Sequence, residues 1–178
     1  MSWLDQIGGL LQQYSSSGQA SQSTEADFDR ASGVAPREAM SQGIAEAFRS
    51  DSTPPFPSML GQMFGNSSGV QRASLLNTLL AAAGPALMSG ALQRGGSGGL
   101  GALAGLLGRG GEVSPEEAEK VPPEAVEELA QQAQSQDPSI IDRVSDFYSQ
   151  HPGLVKTLGA AALAVAMSGM TKQKRGLF

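Results

Sequence analysis

The sequence predicts an all-α, multihelical protein: two pseudo-equivalent copies of a four-helix unit formed by internal duplication, preceded by an N-terminal amphipathic helix. Three observations predict it. First, residues 75–90 (LLNTLLAAAGPALMSG) laid over residues 154–169 (LVKTLGAAALAVAMSG) are identical at nine of sixteen positions, including Thr78 with Thr157, Leu79 with Leu158, and Met88-Ser89-Gly90 with Met167-Ser168-Gly169. At the same offset Val34-Ala35-Pro36-Arg37-Glu38-Ala39 meets Val113-Ser114-Pro115-Glu116-Glu117-Ala118, and after a two-residue slip Pro57-Ser58 meets Pro138-Ser139. Second, 40% apolar but only 5% aromatic residues, with 23 Gly among 178, describe a core of Leu, Ala, Met and Val in closely approaching helices rather than a β-sandwich. Third, the punctuation between apolar stretches is that of helix caps and stops. Copies of about 60 residues are marginal as isolated folding units, so the two are expected to pack together.

The elements follow in order. Trp3, Leu4, Ile7, Leu10, Leu11 and Tyr14 share one face of a helix over residues 1–14, with Asp5, Gln6, Gln12 and Gln13 on the other side. Residues 15–33 open on a Ser/Gln/Thr/Gly run too polar to fold and are predicted to be a flexible tether. The first copy, residues 34–92, should hold a short helix from Pro36, a second over residues 44–49, a third over residues 57–64, and a long apolar helix capped by Ser68-Gly69-Val70-Gln71. Gly84-Pro85 should kink that helix, because proline lacks an amide and clashes with the preceding turn. Residues 93–112 form a Gly-rich joint turning into a short helix, whose Leu100, Leu103, Leu106 and Leu107 suit self-association.

The second copy covers residues 113–170. Ser114-Pro115-Glu116-Glu117 combines an N-cap, a first-turn proline and a Glu three residues on, which begins a short helix ended by Val121-Pro122-Pro123. A helix over residues 124–135 puts Val126, Leu129, Ala130 and Ala133 on one side. Asp137-Pro138 then caps another, with Ile140, Ile141, Val144, Phe147 and Tyr148 as its buried stripe. After His151-Pro152-Gly153 a last helix should run over residues 154–170, straighter than its counterpart because Leu163-Ala164 replaces Gly84-Pro85. Residues 171–178 are a basic tail. If the copies fold alike, their backbones should superpose helix for helix, with Leu79 and Leu158 both buried.

The chemistry these residues offer is sparse. A net charge of −5 disfavours nucleic acid as partner, and the absence of cysteine removes disulfides, thiolate metal sites and thiol catalysis. Asp5 interrupts the opening apolar residues and no cation precedes them, which disfavours a secretion signal. The apolar helices are short or interrupted for membrane spans. Gly99, Gly101 and Gly105 fit a loose nucleotide-loop spacing, but a helix and a Gly/Ser run come before it instead of the strand such a loop requires. Asp142, Asp146 and His151 sketch a metal site that nothing nearby completes, and abundant serine lies in no nucleophile-elbow setting.

Met1-Ser2-Trp3-Leu4-Asp5-Gln6-Ile7-Gly8-Gly9-Leu10-Leu11, the Gly/Leu stretch over residues 98–108, and Val113-Ser114-Pro115 leading through acidic short helices to Ile140-Ile141-Asp142 resemble the YidB-like family of small bacterial helical proteins. That resemblance covers under half of the chain and implies a multihelical domain, no known activity and a tendency to self-associate. The duplication and the Ala-rich ending depart from the family pattern. The expectation is a non-enzymatic, homo-oligomeric structural or scaffold protein of the cytoplasm with no cofactor. The alternative is a peripheral membrane or lipid-binding protein that uses the N-terminal helix and the tail containing Lys172, Lys174 and Arg175.

Overall fold

The computed structural model describes residues 5, 7–9, 12, 23–93, 103, 105 and 111–172, and all regular structure among them is helical. The helices are α1 (Ser23–Val34), α2 (Arg37–Arg49), α3 (Phe56–Gly65), α4 (Gly69–Gln93), α5 (Pro115–Ala118), α6 (Pro123–Gln136), α7 (Ile140–Ser149), α8 (Pro152–Val155) and α9 (Ala160–Lys172), with a 3-10 turn at Lys156–Leu158. They form two compact units. One is discontinuous, made of Met1–Pro55 with Ser145–Phe178; the other is the continuous stretch Phe56–Val144.

In the continuous unit, local chemistry fixes the helix ends. Ser114 and Glu117 form a reciprocal capping box at α5. At α4 the Ser68 amide donates to Gln71 Oε1 at 2.9 Å, and the Gln71 amide donates back to Ser68 Oγ at 3.4 Å. Such reciprocal bonds satisfy amides that a helix start leaves orphaned. Arg72 reaches back over the end of α3, donating from Nε to the carbonyls of Phe64 and Ser67 and from Nη2 to Gly65, while its guanidinium lies 5.1 Å from the Phe64 ring centre. Ser139 donates both its hydroxyl and its amide to Asp137, holding that carboxyl below the ordinary carboxylate range. A depressed folded-state pKa contributes stability above the unfolded value and loses it as pH falls. α6 packs on α3 and α4, and α5 on α4. Its predicted stripe, Val126, Leu129, Ala130 and Ala133, is buried. Asn77 of α4 accepts from the Val113 amide at 2.8 Å and donates to the Val113 carbonyl at 3.3 Å, fixing the entry to α5.

In the discontinuous unit α9 packs along α2 and also meets α1. Lys156 pairs with Asp29 of α1 at 3.0 Å, and Arg37 approaches Asp146 at 3.8 Å. α7 spans the division between the units in sequence. Ile140, Ile141, Val144 and Tyr148 of its predicted stripe are buried, and Phe147 is half-buried.

Four sequence expectations are corrected. Residues 23–33, read as tether, are helical, with Thr24, Phe28 and Ala31 buried one turn apart on one face. A stripe with a single large apolar residue is invisible to composition. Residues 36–49, read as two helices, form one, which runs unbroken through the buried Gly43 although glycine costs a helix about 1 kcal/mol of propensity. The matched stretches differ in helix number: Val121-Pro122-Pro123 divides residues 115–136 into α5 and α6, where α2 is unbroken. The last stretch, predicted as one helix over residues 154–170, is not continuous either. α4 is helical from Gly69 to Gln93, whereas its counterpart breaks at Gly159, φ 88° and ψ 171°. Gly159 aligns with Leu80, and the break leaves Leu158 half-buried while Leu79 is fully buried.

That backbone conformation is one essentially reserved to glycine. Gly159→Ala should therefore lower stability by about 1–3 kcal/mol. Gly153→Ala, at an exposed position in α8 with no atom within 4 Å of the added methyl, should be neutral or stabilise by up to about 1 kcal/mol. Urea unfolding of both variants checks the contrast.

Candidate functional site

The most specific contact of the discontinuous unit is the seam between α2 and α9. Gly43 faces α9 so closely that a Cβ there would overlap the carbonyl oxygen of Ala166 and stand 2.7 Å from Met170 Cγ. Gly169 returns the contact: a Cβ on it would lie 2.9 Å from Gly43 Cα and from Glu46 Cβ and Cγ. The two backbones meet where neither carries a side chain. Around this point Met40, Ile44 and Phe48 of α2 and Leu163, Met167 and Met170 of α9 are buried. On the outer edge Lys172 pairs with Glu46 at 3.4 Å, both side chains exposed, a pair worth about 0–1 kcal/mol that registers the helices rather than holding them.

Beside the seam lies an open cleft of about 420 Å³, lined by Glu46, Arg49, Ser50, Val165, Ser168 and Lys172 among others. Its single carboxylate is engaged by Lys172, and its hydroxyls have no imidazole beside them. The arrangement offers helix packing and a mixed polar rim, not a nucleophile–base pair.

Of the association residues named from the sequence, Ile7 and Leu103 are helical and fully buried. Trp3, Leu4, Leu10, Leu11, Tyr14, Leu100, Leu106 and Leu107 lie outside the described residues, as do Gly99 and Gly101 of the loose nucleotide-loop spacing and residues 173–178 of the basic tail. Asp5 and Gln12, placed on the polar side of the first helix, are exposed. The sketched metal site does not assemble: Asp146 faces Arg37, His151 lies against the Phe147 ring at 4.9 Å, and the described residues contain no group of three or more His, Asp or Glu able to hold an ion. No described helix is long and apolar enough to cross a membrane. The seam itself was missed in the sequence, although a glycine in the middle of an amphipathic helix, such as Gly43, signals close approach when a reason for its cost is sought. Comparison with family models, curated proteins and solved structures finds no match.

Overpacking a backbone contact forces the elements apart, so Gly43→Ala should destabilise by about 1–3 kcal/mol. Gly33→Ala, exposed near the end of α1 with open space around it, should change stability by about 0.5 kcal/mol or less. Denaturant midpoints of the two variants measure the difference.

Proposed function

We propose that this is a non-enzymatic helical assembly protein, built by duplication, whose working chemistry is the packing of one copy of its repeat on another. The observation that carries this reading is reciprocity. α2, which opens the first copy, packs on α9, which closes the second. α5 and α6, which open the second copy, pack on α4, which closes the first. The polar ties repeat the pattern. Asn77 and Lys156 occupy matching positions 79 residues apart (156 − 77), and Asn77 holds Val113 at the entrance of the second copy while Lys156 holds Asp29 just ahead of the first. A two-fold homodimer of a single-copy chain makes each contact twice in this manner, since an isologous interface pairs residue i with j and j with i. Fusion of two such copies preserves the arrangement inside one chain. On this reading the role is assembly, as a structural or scaffold component.

The test is the mass of the intact protein by size exclusion with light scattering across a wide concentration range, combined with flotation on anionic liposomes. Self-association that strengthens with concentration, without flotation, is the expected result. A monomer at every concentration contradicts it, and a monomer that floats points instead to peripheral membrane binding.

A further inference from the structure

The link between α8 and α9 turns on one residue. The 3-10 turn Lys156–Leu158 ends at Gly159, whose positive φ redirects the chain so that α9 lies back along α2 of the same molecule. The matched sequence makes no such turn. Where the second copy reads Thr157-Leu158-Gly159, the first reads Thr78-Leu79-Leu80 and continues as the unbroken helix α4. The matched sequences thus take two courses, and the bent one carries glycine where the unbroken one carries Leu80. Rotation of Gly159 into the helical region would join α8, the turn and α9 into one helix over residues 152–172. At 1.5 Å per residue it would be about 31 Å long, and it would carry α9 away from its own α2.

An α2 left without its α9 exposes Met40, Ile44 and Phe48 together with the bare backbone at Gly43, and a departed α9 exposes the complementary face. We propose that a second copy of this chain fills that gap: self-association proceeds by exchange of α9 between two molecules, with Gly159 as the hinge. This rests on the self-association reading above and names its interface. The seam selects this partner by its own chemistry. It demands a helix with a glycine facing Gly43, a carbonyl where Ala166 places one, and a cation one turn on from that glycine to meet Glu46, which is the register of α9 itself. Exchange rebuilds every seam contact across the two chains, so its main cost is association. Lys156 lies before the hinge, so its pair with Asp29 stays within each chain.

The chain has no cysteine, which makes a cross-linking test clean. One preparation carries Glu46→Cys, a second carries Lys172→Cys, and the two are mixed at high concentration, unfolded and refolded together, then treated with a short bis-maleimide. A covalent dimer joining position 46 of one chain to position 172 of the other is expected, rising with concentration, absent from either preparation alone, and severalfold more abundant when both chains also carry Gly159→Leu. The double variant in one chain should cross-link within the monomer when refolded dilute. If the uncross-linked protein is dimeric by light scattering but the mixture yields no mixed covalent dimer, α9 exchange is wrong and self-association uses another face. If the protein is monomeric and no mixed dimer forms, both readings fail. Cross-linking confined to the Gly159→Leu background also overturns exchange as a property of the natural chain. The arm without the hinge substitution decides the matter if Gly159→Leu does not fold.

Discussion

The approach of α2 to α9 at Gly43 and Gly169 is the contact on which the discontinuous unit depends. Residues 1–55 and 145–178 meet there after roughly a hundred intervening positions, and closing a loop of that length costs on the order of 4 kcal/mol in chain entropy. Burial of one large aliphatic or Met side chain returns about 1.5–3 kcal/mol, so the closure needs several of them packed at full density. Met40, Ile44, Leu163 and Met167 are buried around the point where the helices touch backbone to backbone. The Glu46–Lys172 pair at the rim is too exposed to substitute for this packing.

Glycine does opposite work at two places in this unit. Within α2 and α9 its missing side chain lets two helices meet, and the contact offsets the propensity it costs. At Gly159 its backbone freedom ends a helix that the matched Leu80 allows to continue. Composition registers both uses as the same residue. Which one applies depends on whether a neighbouring backbone is present, a tertiary fact.

Features governed by local chemistry were legible in the sequence. The capping boxes at Ser68 and Ser114, the stripe of α6 and most of the stripe of α7 follow from spacing within one or two turns, and the structure contains them. Features governed by packing were not. α1 has one large buried residue, Phe28, and reads as polar; α2 reads as divided until α9 is placed against Gly43; and the expected helix-for-helix match of the two aligned stretches fails where Pro122-Pro123 and Gly159 redirect the chain. The likeness of residues 75–90 to 154–169 could be seen in the sequence, but the packing of α2 on α9 and of α5 and α6 on α4 could not, because a periodicity identifies a buried face without naming its cover. For the candidate site, the glycine contact that defines the seam was passed over.

The central claim is that α2 and α9 form one cooperative element although they come from distant parts of the chain. Native-state hydrogen exchange at backbone amides tests it most directly, because amides that open together share one free energy of opening. The account predicts that the slowest amides of α2 and α9 exchange with the same opening free energy and lose it together in Gly43→Ala. Protection of α2 that persists while α9 exchanges freely, or a Gly43→Ala effect confined to α2, would contradict it.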